Sequence, residues 1–86
     1  MNKATRLNIE QAMKTRASKM GVIILDFKPT QFEDDGFFVV LAINTKQEFV
    51  TWTWANGGFH HGHYFGGILS RENRSDALTD FLKRIH

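Results

Sequence analysis

The chain has 86 residues, a formal net charge of +2 and no cysteine. A hydrophobic content of 42%, with 13% aromatic residues, is typical of a folded globular protein rather than a disordered one. The lack of cysteine excludes a disulfide framework and a thiolate metal site. No apolar run is long enough to span a bilayer, and residues 1–20 lack the pattern of a signal peptide. We therefore expect one soluble, cytoplasmic domain over residues 1–86, with no membrane contact and no cofactor.

The first predicted element is an amphipathic helix over about residues 4–19. Four apolar residues recur along it at helical spacing: Ile9, Ala12, Met13 and Met20. Asn2 or Thr5 could cap its beginning, and Gly21 suits the left-handed residue that ends a helix.

Arg16 interrupts the apolar stripe of this helix, at a position between Met13 and Met20 where an aliphatic residue is expected. An arginine there can lay its stem over the edge of the core, or it can reach an acidic partner or ligand. We keep Arg16 as a candidate partner-binding residue.

Four strands and a second helix follow. The strands are predicted at residues 22–28, 37–43, 48–54 and 59–65, with turn chemistry at 33–36, 44–47 and 56–58. Asn73 or Ser75 would cap the last helix. Its apolar face comprises Ala77, Leu78, Phe81, Leu82 and Ile85. The fold class is therefore α+β: an antiparallel four-stranded meander flanked by an N-terminal and a C-terminal helix, in the order α-β-β-β-β-α.

The first two strands are apolar on both faces, unlike strands with one solvated face. Two arrangements would bury both faces of the sheet. One helix can lie on each face, or both helices can lie on one face while a second copy of the chain covers the other. The second arrangement predicts a homodimer.

The third and fourth strands form an aromatic hairpin with two alternative registers. A two-residue turn at Asn56-Gly57 would give the pairs Trp54–Phe59, Trp52–His61 and Val50–His63. A three-residue loop that includes Gly58 would give the pairs Trp54–His60, Trp52–Gly62, Val50–Tyr64 and Phe49–Phe65. We prefer the second register, because it lays the Trp52 indole over the bare backbone of Gly62. It predicts a buried face with Trp52, Trp54 and Tyr64, and a solvated face with Thr51, Thr53, His61 and His63.

His61 and His63 would lie on one strand face, where two imidazoles could share a metal ion. A zinc site needs a further ligand, for which Glu48 or His86 is available without any supporting spacing. In the alternative to a metal site, His61 and His63 are polar strand residues that lie opposite Thr51 and Thr53. No nucleophile motif or phosphate-binding glycine loop is present, so we do not expect an enzyme.

The basic N-terminal helix suggests nucleic acid as an alternative partner. Residues 1–20 carry five basic side chains against Glu10 alone. The element order resembles the double-stranded-RNA-binding domain in outline. That family opens its final helix with a lysine cluster, whereas this chain has Ser70-Arg71-Glu72-Asn73-Arg74 and an extra strand. Glu10 can also pair with Arg6 and Lys14, which reduces the basic stripe.

The C-terminal half contains the short motifs Phe49-Val50-Thr51-Trp52, Gly62-His63-Tyr64-Phe65, Ala77-Leu78 and Asp80-Phe81, followed by Arg84. At these motifs the chain resembles short uncharacterised proteins of bacteriophages and mobile elements. The resemblance implies an accessory protein of the host cytoplasm that binds and inhibits a host or defence component. The sequence thus favours a non-enzymatic binding module, with these candidate contact residues: Arg16, Trp52, Trp54, His61, His63 and Tyr64.

Overall fold

The computed structural model describes residues 2–30 and 36–85. It contains the helix α1 (Lys3–Met20), the strands β1 (Ile23–Pro29), β2 (Phe38–Ile43), β3 (Glu48–Ala55) and β4 (Gly58–Gly67), and the helix α2 (Arg71–Ile85). The strands form one antiparallel sheet in the order β1-β2-β3-β4. The predicted α-β-β-β-β-α meander is confirmed. Of the predicted turn at 33–36, residues 33–35 lie outside the described part of the chain.

The ends of α1 are fixed by residues that the sequence suggests. The Asn2 side chain accepts a hydrogen bond from the backbone N–H of Thr5 at 2.8 Å, so Asn2 is the cap. Gly21 has φ 70°, and its N–H bonds the carbonyls of Ala17 and Ser18. A residue with a side chain would be strained in this left-handed conformation, which explains the glycine.

The buried stripe of α1 differs from the predicted one. Met13 and Ala17 are buried and Ile9 is half-buried, which gives a stripe spaced by four residues. Met20 is 40% exposed and Ala12 is also exposed, so their predicted places on the buried stripe are wrong. Arg16 is exposed on the flank beside Ala17, and its charge therefore does not enter the core.

Each face of the sheet is covered by a different helix. On one face, Met13 of α1 packs in a core cluster with Phe38, Val40, Ala42, Val50, Trp52 and Trp54. The intervening strand residues face α2: Val39 is paired with Thr53, and Leu41 with Thr51. Thr51 and Thr53 both hydrogen-bond side chains of α2. The arrangement with one helix on each face is therefore observed, and the apolar character of both faces of β2 follows from it.

The predicted apolar face of α2 divides into a buried and an exposed part. Ala77 and Phe81 are buried against the sheet. Leu78 and Leu82 are 44% and 49% exposed, because α2 packs over β2, β3 and β4 and leaves this side of β1 uncovered. An apolar surface therefore stays exposed between α2 and β1.

α2 begins earlier than predicted. Its first residue is Arg71, and the Ser70 hydroxyl accepts a hydrogen bond from the backbone N–H of Asn73 at 3.2 Å. The predicted caps, Asn73 and Ser75, are therefore wrong. The Asn73 amide instead donates to the carbonyl of Gly67 at 3.1 Å and ties the helix to the end of β4. Neither helix is long and apolar enough to cross a membrane, within the residues described.

Candidate functional site: two grooves beside α1

The tip of the β3–β4 hairpin is a two-residue turn. Ala55 pairs with Gly58 and Trp54 with Phe59. Asn56 and Gly57 have φ values of 52° and 78°, and two successive positive values are the signature of the turn that fits the twist of a hairpin. Next to the turn, the hairpin therefore has the register of the two-residue turn, which is the less favoured of the two predictions.

Beyond the tip, the register changes to the preferred one. Val50 pairs with Tyr64, and an irregularity in β4 near His61, whose φ is 54°, accommodates the shift. A Cβ atom on Gly62 would lie 2.8 Å from Nε1 of Trp52, so the indole does cover this glycine as expected. Both registers are thus present, one on each side of this bulge. A second shift between Glu48 and Val50 pairs Glu48 with Gly67, so the predicted pair Phe49–Phe65 is not part of the ladder.

Arg84 of α2 holds this bulge in place. Its guanidinium donates to the backbone carbonyl of His61 and, at 3.3 Å, to the hydroxyl of Thr53. Its Nε also donates to Oδ2 of Asp80 at 3.1 Å, and the side chain is only 12% exposed. Neither Arg84 nor Asp80 is among the predicted site residues, although their spacing of four residues on one helix face indicates an ion pair.

Asp80 is the centre of a polar cluster between α2 and the sheet, which we call the Asp80 cluster. Its Oδ2 accepts hydrogen bonds from the hydroxyl of Thr51 at 2.6 Å, from Nδ1 of His63 at 3.1 Å and from Arg84. Burial acts to raise the pKa of Asp80, but the bonds from Thr51 and His63 and the charge of Arg84 outweigh it and lower the pKa below its usual value. The cluster therefore holds a carboxylate and fastens α2 to β3 and β4.

This cluster changes the interpretation of the predicted solvated face. Thr51 is fully buried beneath α2, so its expected exposure is wrong. His61 and His63 are exposed. The described residues contain no group of three or more histidine, cysteine, aspartate or glutamate side chains that could hold a metal ion. Of the suggested further ligands, Glu48 accepts a hydrogen bond from the Asn44 amide at 3.2 Å, and His86 lies outside the described residues.

The aromatic face is also only partly as predicted. Trp52 and Trp54 are buried at 7% and 4% exposure, and both pack on the ring of Phe59, with centroids 4.8 and 4.9 Å away. Tyr64 is 59% exposed, so its predicted burial is wrong. Its ring is perpendicular to that of Trp52, with the two centroids 6.5 Å apart. The two tryptophans can therefore offer only a small part of their surface to a partner, whereas more than half of Tyr64 is exposed.

Two grooves border α1 on the side of β4. The first, which we call the Tyr64 groove, has a volume of about 390 Å³. It lies between the end of α1, the β2–β3 turn and β4, and it is lined by Met20, Val22, Asn44, Thr45, Lys46, Glu48, Trp52 and Tyr64. The second, which we call the basic groove, has a volume of about 470 Å³. It lies between α1 and the hairpin tip, and it is lined by Asn8, Gln11, Ala12, Thr15, Arg16, Lys19, Trp54 and Gly57.

The cations of α1 differ in how far they are already engaged. Lys14 pairs with Glu10 at 2.9 Å, as expected from their spacing. Arg6 lies over the ring of Phe38, with its Cζ 6.0 Å from the centroid. Arg16 and Lys19 make no ion pair with any described residue, and both line the basic groove, whose lining contains no acidic side chain. This groove is therefore positive and available to an anionic group.

Comparisons with family models, with curated proteins and with solved structures find no match to this chain. The geometry and charge of the two grooves are therefore the features that indicate function.

Proposed function

We propose that this chain is a non-enzymatic binding module that recognises an acidic segment of a protein partner in the basic groove. The observation that carries the proposal is the pair of exposed cations, Arg16 and Lys19, that line a groove without a single acidic residue. Within the described residues, neither cation has an intramolecular ion pair that a partner would have to break. Guanidinium groups bind carboxylates in a bidentate manner, which adds direction to the charge attraction.

The far wall of the basic groove suits a protein backbone. Gly57 has no heavy atom within 4 Å of the position that its Cβ would occupy, so a bound chain can approach closely at the hairpin tip. The exposed part of Trp54 supplies apolar contact beside it. Asn8 adds a side-chain amide that can donate and accept hydrogen bonds. The groove therefore combines charge, apolar area and amide groups at the same place.

The Tyr64 groove extends the same binding side. The two grooves are neighbours. Lys19 of the basic groove is followed in α1 by Met20 of the Tyr64 groove. On the α1 side of β3, Trp54 of the basic groove lies two residues from Trp52 of the Tyr64 groove. A segment that fills the basic groove can continue past Met20 to the exposed ring of Tyr64. Four of the predicted contact residues belong to this side: Arg16, Trp52, Trp54 and Tyr64. The imidazole of His63 bonds Asp80 on the other side of the sheet, and His61 is tied to α2 through its backbone carbonyl.

The resemblance to proteins of bacteriophages and mobile elements supports a particular role for such a module. In that role the chain would act in the host cytoplasm, and its partner would be a host or defence component that is inhibited or sequestered. Inhibition would work through occupation of the partner's surface. The net charge of +2 disfavours mimicry of DNA by an acidic surface.

Nucleic acid is the second candidate, because the same cations could contact phosphates. Lys3, Arg16 and Lys19 are exposed on α1. The engagement of Lys14 with Glu10 leaves a small cationic surface, however, and few phosphate contacts give weak binding. We therefore rank nucleic acid below an acidic protein segment.

The test is affinity capture from a bacterial lysate with the wild-type chain and two charge reversals, followed by titration of the purified partner. Arg16→Glu should weaken binding about tenfold or more, because it places a carboxylate where an acidic segment docks. Arg71→Glu is the matched control: Arg71 is an exposed arginine in the first turn of α2, on the other side of the sheet. It should bind like the wild type.

Three results would count against the proposal. If no protein is captured, or if Arg16→Glu and Arg71→Glu bind the captured protein equally well, the basic groove is not the binding site. If the captured material is nucleic acid, and its affinity falls steeply with salt, the second candidate takes its place.

A further inference from the structure

An exposed apolar surface lies on the α2 side of the sheet, away from the two grooves. Four large aliphatic side chains are between 44% and 58% exposed there: Ile23, Leu25, Leu78 and Leu82. Ile23 pairs with Ile43 on the face that α2 covers, and Leu82 follows Leu78 by one helical turn. We call these four residues the β1–α2 patch. Leu25 and Leu78 line one groove, and grouped apolar exposure of this kind marks interaction surfaces more often than single exposed residues do.

A groove of about 320 Å³ runs through the patch between β1 and α2. It is lined by Leu25, Asp26, Leu41, Phe49, Arg74 and Leu78. The apolar floor is therefore bordered by one carboxylate and one guanidinium. Neither Asp26 nor Arg74 forms an ion pair with another described residue. The patch therefore contains one acidic and one basic side chain, Asp26 and Arg74, that do not pair with each other.

The edge of β1 is poorly suited to adding another strand. The register shifts between Ile24 and Asp26, which disrupts a straight ladder. The carboxylate of Asp26 accepts a hydrogen bond from the backbone N–H of Phe27 at 2.8 Å and so occupies a donor of the strand. Pro29 has no N–H to offer. These features protect an edge strand from pairing, so a partner of the patch docks on the face of β1 and not along its edge.

We propose that the β1–α2 patch is the interface of a homodimer, and that a second copy of this chain covers it. In a two-fold symmetric interface the same surface meets itself, so it must be complementary to itself in charge. This patch meets that requirement, because Asp26 of each copy can pair with Arg74 of the other across the joined apolar surfaces. A partner of one charge sign would leave either Asp26 or Arg74 unpaired.

This inference does not depend on the proposed function. The basic groove lies on the α1 side of the sheet, and the patch lies on the α2 side. A dimer through the patch leaves both basic grooves open and would present two of them to a partner. Failure of one proposal therefore does not imply failure of the other.

The first test is sedimentation equilibrium over a concentration series. Leu82→Glu should raise the dimer dissociation constant by about tenfold or more, because it places a charge in the apolar contact. Leu69→Glu is the matched control: Leu69 is 98% exposed in the turn before α2, outside the patch, and its replacement should leave the association unchanged. Both variants replace exposed side chains, and their circular dichroism should match the wild type.

The second test uses charge reversal and does not depend on the apolar contact. Asp26→Arg and Arg74→Asp should each weaken self-association by about tenfold, because like charges then face each other across the two-fold axis. An equimolar mixture of the two variants should associate again. In the mixed dimer, both contacts between position 26 of one chain and position 74 of the other would join opposite charges.

A wild-type chain that is still monomeric at about 1 mM overturns the proposal and leaves the patch to a different protein. Equal association of Leu82→Glu and Leu69→Glu also overturns it. If the two charge variants fail to restore association when mixed, the pairing of Asp26 with Arg74 between copies is wrong.

Discussion

The carboxylate of Asp80 in α2 accepts a 2.6 Å hydrogen bond from the hydroxyl of Thr51, a residue of β3 with no exposed surface. The same carboxylate oxygen also receives bonds from His63 and Arg84. A buried hydroxyl without a partner would cost free energy, so this contact both satisfies Thr51 and fixes α2 over the sheet. The geometry of the hairpin therefore depends on α2 as well as on the hairpin itself.

Replacement of Thr51 by valine should lower the free energy of unfolding by about 1–3 kcal/mol, because it removes a hydrogen bond to a charged group. Thr53→Val is the matched control: the Thr53 hydroxyl accepts one longer bond, of 3.3 Å, from Arg84. Its loss should cost less, about 1 kcal/mol. Urea denaturation of both variants measures the difference. If both variants lose the same free energy of unfolding, the bond between Thr51 and Asp80 stabilises the fold no more than the bond between Thr53 and Arg84.

Asp80 should also make stability depend on pH. Its pKa is lower in the folded chain than in the unfolded chain, so its ionised form contributes stability above the unfolded pKa. That contribution is lost as the pH falls through the folded pKa, because the carboxylate becomes protonated. Asp80→Asn should therefore be less stable than the wild type at neutral pH, and the gap should narrow below about pH 4. Denaturation curves across this range test the expectation, and a gap that stays constant would contradict it.

Gly62→Ala should destabilise the hairpin by about 1–3 kcal/mol. The new methyl group would lie 2.8 Å from Nε1 of Trp52 and 3.1 Å from the hydroxyl of Tyr64, so the indole must move. Gly67→Ala, in the same strand, meets no atom within 4 Å and should cost much less. Thermal unfolding gives the stabilities, and tryptophan fluorescence should shift only in Gly62→Ala. An unchanged spectrum would show that Trp52 does not rest on Gly62.

Ser70→Ala should lower stability by about 0.5–2 kcal/mol, because the hydroxyl of Ser70 caps the N-terminus of α2. Ser75→Ala, within the same helix, should leave stability nearly unchanged, since alanine is the better helix former at an exposed interior position. Chemical denaturation of the two variants distinguishes the sites. A larger loss for Ser75→Ala would favour Ser75 as the cap.

The register of the β3–β4 hairpin is predictable from the sequence only in part. Each of the two registers follows from a local rule: the turn preference of Asn56-Gly57 and the cover of Gly62 by Trp52. The sequence does not indicate that the two registers occur together in one hairpin. The bulge that joins them is supported by Arg84, a residue more than twenty positions away that reaches the carbonyl of His61. Local patterns do not contain such a contact.

The candidate site is predictable in part. Arg16 stands out because it interrupts an apolar stripe, and it does line a groove. Its neighbour in that groove, Lys19, has no such signal, and the groove itself depends on how close α1 lies to the hairpin tip. The alternation of its strand assigns Tyr64 to the core. Its exposure follows from the position of β4 at the edge of the sheet, where α1 does not cover it.

The sequence by itself determined the six elements, their order and the antiparallel meander, because hydrophobic periodicity and turn residues are local signals. The tertiary structure decided which helix covers which face, where the coverage ends and which polar groups meet. The faces of β2 are equally apolar, so no pattern within the strand distinguishes them. Only the packing of Met13 on one side and Phe81 on the other makes the assignment.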